Sequence, residues 1–259
     1  MTYILITCLT TRNLRCGITN LNNKGKKNMK IYSISDLHLD INNTKPMDIF
    51  GPVWHDYLDK IIADWNEKVE EEDVVILAGD YSWAMKLEEV APDFEFLNFL
   101  KGTKIIIRGN HDYWWSSVSK VREKLPSKTY ALQNDAIKIG EYIFCGNRGW
   151  LIPEGKFNTE ENHKIYAREV IRAELSLQAA KKLQTNDEKI VFITHYPPFN
   201  NKIEQSEYTK LIEENKVNIV VFGHLHGYVN PKMLYNEING VKYYLTSCDA
   251  VKNQLVEIK

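Results

Sequence analysis

Five short runs of β-branched and aliphatic residues in this chain each end in aspartate, histidine or asparagine. The residues at and just after these ends are of types that bind metal ions or transfer protons: Asp36, His38, Asp80, Asn110, His111, Asp112, His195, His224 and His226. Imidazole and carboxylate ligands together favour Mn, Fe, Zn, Ni or Co over Ca, which prefers oxygen ligands alone. Five of the seven histidines stand at these run ends, so the residues predict a transition-metal site rather than isolated structural histidines.

The number of candidate ligands favours two metal ions over one. A single catalytic ion needs three or four protein ligands, and the chain offers at least seven. Two ions that share a bridging carboxylate are the simplest arrangement for such a set. The formal charge of two divalent ions, Asp36, Asp80 and one hydroxide is positive by one unit, which suits a phosphate ester as the incoming anion. A pair of ions about 3.5–4 Å apart activates water and holds phosphoryl oxygens.

Helix-length segments separate these apolar runs. The runs cover residues 31–35, 74–78, 104–108, 190–194 and 219–222, and the helical segments cover 54–70, 87–100, 116–125, 160–183 and 204–215. Strands that are apolar throughout and alternate with helices indicate sheets buried on both faces in an α/β domain. In such folds the carboxyl ends of the strands meet at one crevice, so the five segments would deliver their polar side chains to one place.

The remaining strand candidates are not separated by helices. They cover residues 129–132, 136–139, 142–145, 233–238, 241–245 and 254–258. Asn239-Gly240 is a typical hairpin turn pair between two of them. A second, partly antiparallel sheet packed on the first is the simplest use for these strands. The sequence therefore predicts an α/β fold in which two mixed sheets form a sandwich flanked by helices, with residues 29–259 as one domain.

The composition describes an ordinary globular chain. Of its 259 residues 44% are hydrophobic and 26% charged, and the net charge of −1 argues against a polybasic nucleic-acid or membrane-surface binder. The apolar stretch at residues 3–9 is too short for a membrane helix and lacks the basic start of a signal peptide. Four scattered cysteines form no disulfide framework. We therefore expect a cytoplasmic protein with no membrane partner, while the sequence leaves its oligomeric state open.

The first 28 residues differ from the rest. Residues 10–28 are polar and basic and show no sustained period, and a clean strand pattern begins after Met29. We expect residues 1–28 to be a disordered or non-native extension, with a start of translation at Met29 as one explanation. The alternative is a tail that binds a partner.

The ordered motifs closely resemble those of the calcineurin-like metallophosphoesterases. They are Asp36-x-His38, Gly79-Asp80, Gly109-Asn110-His111-Asp112, His195 and Gly223-His224-x-His226, in the order that this family has. Gly-Asp alone is a weak signal, whereas all five motifs in order are a strong one. The resemblance spans residues 31–226 and implies a double β-sandwich flanked by helices, with a dinuclear site at the carboxyl ends of the strands.

The resemblance also implies a role for each motif residue. Asp36, His38 and His226 would bind one metal ion, Asn110, His195 and His224 the other, and Asp80 would bridge them. His111 would assist the leaving group while a metal-activated hydroxide attacks phosphorus in line. Asp112 would orient His111, as carboxylates often do for a working imidazole, or would cap the helix that follows.

Departures from the family's branches narrow the substrate. Protein phosphatases carry Asp-Arg-Gly after Gly-Asp and Glu after Asn-His, whereas Asp80 is followed here by Tyr-Ser-Trp-Ala and His111 by Asp112. The chain resembles the small bacterial phosphohydrolase branch, and its His195-Tyr196-Pro-Pro stretch is similar to that of small phosphodiesterases. Nothing resembles the capping domain with which nucleases of the family hold DNA.

The sequence therefore predicts a metal-dependent phosphoric ester hydrolase that acts on small phosphodiesters. The cofactors would be two divalent ions among Mn, Fe, Zn and Ni, with Mn the first choice in vitro. A phosphomonoesterase or nucleotide pyrophosphatase with the same site is the first alternative, and a metal-free binding scaffold is the alternative from another class. A nucleic-acid substrate is disfavoured by the net charge.

Three residues near the motifs are candidates for substrate binding. Arg148 follows another apolar strand, and its forked guanidinium matches phosphate oxygens, although a solvated Arg or one paired in the core fits equally well. Trp115 could stack on a flat leaving group, with burial in the core as the alternative. Tyr196 lies next to the candidate ligand His195.

Overall fold

The computed structural model describes residues 28–41, 45–227 and 229–259. Apart from Asn28, the extension predicted at residues 1–28 lies outside these ranges. Among the described residues, no helix combines the length and the apolar composition that crossing a bilayer requires.

The described chain contains eleven strands. Their bounds are β1 (Ile31–Ser33), β2 (Val74–Leu77), β3 (Thr103–Ile106), β4 (Thr129–Ala131), β5 (Ala136–Ile139), β6 (Tyr142–Asn147), β7 (Lys189–Thr194), β8 (Ile219–Phe222), β9 (Tyr235–Ile238), β10 (Val241–Leu245) and β11 (Val256–Ile258). All five apolar runs that precede the candidate ligands form strands, as predicted.

Six helices lie in the same ranges. They are α1 (Tyr57–Lys68), α2 (Ala91–Asn98), α3 (Val118–Lys124), α4 (Glu160–Leu183), α5 (Glu207–Glu214) and α6 (Pro231–Leu234). Helix α4 begins after Thr159, whose side chain accepts a hydrogen bond from the Asn162 backbone N–H and so satisfies a free donor of the first turn. Two 3₁₀ turns, Met47–Phe50 and Pro52–Trp54, precede α1.

The strands form two mixed sheets. The first has the order β11-β1-β2-β3-β4, with β1 to β4 parallel and β11 antiparallel to β1. The second has the order β5-β6-β7-β8-β10-β9, with antiparallel strands only at its two edges. The inner strands of each sheet are therefore parallel, and their carboxyl ends share one edge.

Three hydrophobic layers hold the sheets and helices together. Alternate residues of β2 point to opposite faces, so that Val74 and Ile76 pack between the two sheets while Val75 and Leu77 face α1 and α2. On the second sheet, Phe192 packs against α4 and α5, and its neighbour Val191 belongs to the layer between the sheets. The predicted α/β sandwich with helices on both outer faces is confirmed.

The predicted division of strands between the sheets is wrong. The helix-linked strands β7 and β8 do not lie in the sheet that contains β1, β2 and β3. They form the centre of the second sheet, together with the later hairpin strands. Continuous apolar runs report burial on both faces, and each sheet here is covered by its own helices as well as by the other sheet. The pattern therefore could not tell which sheet a buried strand joins. The strand predicted at 233–238 is also shorter, because Met233 and Leu234 end helix α6.

Candidate metal centre

The seven candidate ligands lie in loops at the carboxyl ends of five parallel strands, three from the first sheet and two from the second. Backbone hydrogen bonds join neighbouring loops: the Asp36 N–H donates to Gly79 O at 3.0 Å, and the Gly223 N–H donates to His195 O at 3.1 Å. A third bond crosses between the sheets, because the His224 N–H donates to the Asp36 carboxylate at 3.0 Å. The two sheets thus meet at the point where the ligand-type side chains converge.

Asp36, His38 and His226 form one cluster. Their ligand atoms lie within 4.8 Å of one another, and the His226 Nε2 atom is 3.6 Å from an Asp36 oxygen. Asp36 and His38 are almost completely buried. Three such groups at this spacing can hold one divalent ion.

Asn110, His195 and His224 form a second cluster. The Asn110 Oδ1 atom lies 2.7 Å from His195 Nε2 and 2.8 Å from His224 Nδ1. All three atoms therefore face one point, as the ligands of a single ion would.

Asp80 lies between the two clusters. Its Oδ2 atom is 3.8 Å from His38 Nε2 in the first cluster and 3.4 Å from His195 Nε2 in the second. Among the described residues, this buried oxygen forms no hydrogen bond, while Oδ1 accepts the His111 backbone N–H at 2.7 Å. A buried carboxylate oxygen needs a cation beside it, either a protonated imidazole such as His195 or a metal ion, so the site fits a bound metal pair.

Four of the seven candidate ligands have left-handed backbone conformations. The φ angles are 59° at Asp36, 47° at His38, 51° at Asp80 and 74° at His224. Non-glycine residues rarely adopt this region, and such strain persists only where the surrounding structure fixes it. Here it turns side chains from different strand ends toward one centre.

The motif glycines let the ligand loops approach each other. A Cβ atom on Gly109 would lie 2.1 Å from the Asp80 carboxylate, and one on Gly223 would lie 2.5 Å from the Asp36 carboxylate. Both distances are shorter than any real contact, so a side chain at either position would displace a candidate ligand.

Burial determines the protonation states of the candidate ligands His38 and His224. It lowers the pKa of His38 to about 3 and that of His224 to about 3, so both rings are neutral and present lone pairs at neutral pH. Burial also opposes protonation of His195, but the adjoining Asp80 carboxylate outweighs it and raises the pKa of His195 to about 9. The same contact holds the pKa of Asp80 below its ordinary value despite burial. His195 thus carries the positive charge that this anionic pocket attracts, and a metal ion would replace that proton.

Asp249 orients one ligand and was not identified from the sequence. Its carboxylate lies 2.9 Å from His226 Nδ1 and also accepts the Gly227 backbone N–H at 2.8 Å. Such a carboxylate fixes the ring so that Nε2 faces the metal site. The available signal was its position four residues after β10, another apolar strand of the second sheet.

His111 lines a cleft next to the first cluster. Its ring centroid is 5.5 Å from that of His38 and 5.0 Å from that of Trp83. The cleft has a volume of about 490 Å³, and Phe50, Trp54 and Trp83 form much of its wall. Trp54 was not identified from the sequence, because its segment has the pattern of a helix start. The cleft offers an apolar surface directly beside the candidate metal site.

The predicted contact between Asp112 and His111 is wrong. The Asp112 carboxylate is buried and accepts backbone N–H groups from Gly109, Asp80 and Tyr81 at 2.7–2.9 Å, as well as the Trp114 indole N–H at 3.0 Å. Among the described residues, no hydrogen bond joins it to the His111 ring, and helix α3 begins six residues later, so Asp112 does not cap it. Its hydrogen bonds instead join the loop that carries Asp80 to the loop that carries Asn110.

Two of the three predicted substrate contacts are also corrected. Trp115 is 3% exposed, packs on Trp114 in the core and donates to Gln133 at 2.7 Å, so it cannot stack on a ligand. Tyr196 is 5% exposed and packs its ring 4.2 Å from that of His224, which supports the second cluster from behind. Burial explains both outcomes, because each aromatic ring finds its partners inside the protein.

Arg148 is the third predicted substrate contact, and it is partly exposed. Its guanidinium lies 3.6 Å from Glu169 and 4.8 Å from the centroid of the Trp150 ring. Its backbone oxygen accepts the N–H groups of His195 and Tyr196 at 3.0 and 3.1 Å. The residue thus adjoins the second cluster through its main chain, while its side chain lines a separate pocket.

Comparison with known proteins identifies the fold and the family. The family model described as calcineurin-like phosphoesterase matches residues 29–228. No curated protein matches the chain significantly. The solved structure of TT1561 from Thermus thermophilus is similar with a TM-score of 0.57 at 15% identity, covering 89% of this chain and 98% of that one. The structure of AQ665, a protein of unknown function from Aquifex aeolicus, gives 0.48 at 13%, covering 89% and 96%.

Proposed function

The chain belongs to the calcineurin-like phosphoesterase family, and we propose that it hydrolyses small phosphodiesters at a pair of divalent metal ions. Membership makes it a metal-dependent phosphoric ester hydrolase. The observation that carries the dinuclear proposal is the buried Asp80 oxygen, which lies within 4 Å of an imidazole nitrogen from each cluster.

In this proposal each cluster would hold one ion. Asp36, His38 and His226 would bind the first ion, and Asn110, His195 and His224 the second. Asp80 would serve both, because its Oδ2 atom is within 4 Å of an imidazole nitrogen from each cluster. Mn, Fe, Zn and Ni all accept this mixture of imidazole, amide and carboxylate, with Mn the first to test.

The bound ions would lower the pKa of the attacking water and neutralise the phosphoryl oxygens. The side chains of the chain supply the rest. His111 protonates the leaving oxygen from Nε2, because its Nδ1 atom is buried and the ring borders the cleft. Asp249 keeps His226 in the ligand orientation through a 2.9 Å contact. Asp112 keeps the loops of Asp80 and Asn110 in register.

The lining of the cleft favours diesters over monoesters. Its walls beside His111 are apolar and aromatic, and none of the residues described around it is a lysine or arginine. A monoester dianion carries a second negative charge, which an apolar wall does not stabilise. A diester carries one charge and places a second substituent on the apolar wall, where burial is favourable.

Hydrolysis of two chromogenic esters tests this proposal. We would compare bis-p-nitrophenyl phosphate with p-nitrophenyl phosphate, using chelator-treated protein refilled with Mn²⁺. The proposal predicts faster turnover of the diester, no turnover without metal, and a loss of about 10²–10⁴-fold in His111→Ala. Asp80→Asn should lose both metal and activity. Faster monoester turnover would refute the diester assignment, and full activity after chelation would refute the metal mechanism.

A further inference from the structure

Four arginines line a second pocket next to the candidate metal centre. Arg108 follows β3, Arg148 follows β6, and Arg168 and Arg172 come from helix α4. Together with Glu169 they surround a cavity of about 300 Å³, and we call it the arginine pocket. The overall charge of the chain is −1, so its composition does not explain four guanidinium groups around one cavity.

Among the described residues that line the pocket, Glu169 is the one acidic residue, and its carboxylate already has partners. It lies 2.5 Å from Arg172 and 3.6 Å from Arg148, and its other oxygen accepts the Asn147 amide at 2.9 Å. One carboxylate therefore faces four guanidinium groups. The pocket keeps a large excess of positive charge.

Arg108 and Arg168 carry that excess. The Arg108 Nε atom is buried and, among the described residues, has no hydrogen-bond partner. Within the described ranges, neither Arg108 nor Arg168 forms an ion pair. A buried donor without a partner destabilises the fold, and like charges at close range repel. An anion in the pocket would remove both costs.

We propose that the arginine pocket binds a phosphate group of a small phosphorylated ligand. Guanidinium forks bind phosphate oxygens through paired hydrogen bonds, and four forks from three chain segments can surround one such group. Gln133 and Asn134 add amide donors to the lining. The volume of the cavity is within the range of small-molecule sites.

The position of the pocket connects it to the metal centre. Arg108 is two residues before Asn110, and the backbone oxygen of Arg148 accepts the His195 N–H at 3.0 Å. A substrate with two phosphate groups can therefore place one at the metals and the other among the arginines, an assignment that rests on the proposed function. The other source of the same group is free phosphate.

Calorimetric titration with inorganic phosphate tests the pocket itself. The full-length chain is titrated both with Mn²⁺ and after chelation, so that binding at the metal centre is separated from binding at the arginines. We expect one phosphate site that persists after chelation. Arg168→Gln should weaken it by about tenfold or more, because a charge-assisted contact is lost.

A matched variant on the same helix controls for charge. Lys164 is exposed on α4 one turn before Arg168 and lies outside the pocket, so Lys164→Gln removes the same charge and should leave phosphate affinity unchanged. Arg108→Gln, in the segment after β3, should repeat the loss seen in Arg168→Gln. Phosphate binding that disappears entirely on chelation, or that neither arginine variant weakens, would overturn the proposal.

Two synthetic diesters distinguish the source of the phosphate. The p-nitrophenyl ester of thymidine 5′-phosphate is compared with the same ester carrying a 3′-phosphate. If the pocket holds part of the substrate, the 3′-phosphate lowers KM and the gain disappears in Arg168→Gln. If phosphate binds but the two esters have equal KM, the pocket holds free phosphate. The titration needs no turnover, so failure of the proposed activity and failure of the pocket are separate results.

Discussion

Replacing Asp249 with alanine removes the side chain that holds the His226 ring in place. Asp249 gives one oxygen to His226 Nδ1 at 2.9 Å and the other to the Gly227 N–H at 2.8 Å. His226 belongs to the cluster of Asp36 and His38, whereas the other cluster has no contact with Asp249 among the described residues. The substitution should therefore weaken one metal site and leave the other intact.

The size of the effect follows from the contact. A hydrogen bond that involves a charged group contributes about 1.5–3 kcal/mol, which corresponds to a change of about 10–150-fold in an equilibrium constant. Loss of a carboxylate that orients a metal-bound histidine costs about 10–100-fold in metal affinity. Both routes give the same range, so we expect the first ion to bind about 10–100-fold more weakly in Asp249→Ala.

Titration of chelated protein with Mn²⁺, followed calorimetrically, measures the two sites. The wild type should bind two ions, and Asp249→Ala should bind one with wild-type affinity and one more weakly. Asp249→Asn keeps one accepting oxygen and should lie between the two. Asp187→Ala is the control, because Asp187 is exposed and lies outside the candidate site. Equal weakening of both sites, or none, would refute this account of how His226 is held.

Three further predictions follow from other parts of the structure. Gly109→Ala should reduce the affinity for Mn²⁺ about 100-fold or more in the same titration, because the new Cβ atom would lie 2.1 Å from the Asp80 carboxylate. Wild-type affinity in this variant would show that the metal site does not need the close contact between Gly109 and Asp80. Asp112→Asn should lower the free energy of unfolding in urea by about 1–3 kcal/mol, since an amide must leave backbone donors unpaired; an unchanged midpoint would show that Asp112 does not join the loops. Burial lowers the pKa of Lys104 to about 8 from an ordinary 10.5. Between pH 8 and pH 10.5 Lys104 is therefore protonated in the unfolded chain and neutral in the folded chain, so the free energy of unfolding rises with pH. The free energy of unfolding of the wild type should therefore gain about 3 kcal/mol from pH 7.5 to 10.5 relative to Lys104→Met. The same pH dependence in both proteins would contradict the lowered pKa of Lys104.

The residues of the candidate metal site could be predicted from the sequence, because one residue type at one position has few uses there. Aspartate and histidine directly after a buried strand had to face the edge of a sheet, and the structure brings all seven candidates together there. These features depend on short stretches of sequence, which can be examined one at a time.

Other features depended on contacts between distant segments. Asp112 looked like a partner of its neighbour His111, yet its carboxylate turns toward the loop of residues 80–82. Asp249 meets His226 from 23 residues away, and Trp115 finds Gln133 in the core. The pattern and spacing of the sequence show which residues at a strand end are polar. They do not show which of those side chains point into the protein. The assignment of strands to sheets failed for the same reason.

The number of Mn²⁺ ions that each chain binds decides between a single metal ion and a pair. We would load chelated protein with Mn²⁺, remove excess ion, and measure metal per chain together with the electron paramagnetic resonance spectrum. We expect two ions per chain with the spectrum of a coupled pair, and loss of the coupling in Asp80→Asn, since Asp80 lies between the two clusters. One ion per chain, or two ions with no coupling in the wild type, would contradict a dinuclear centre bridged by Asp80.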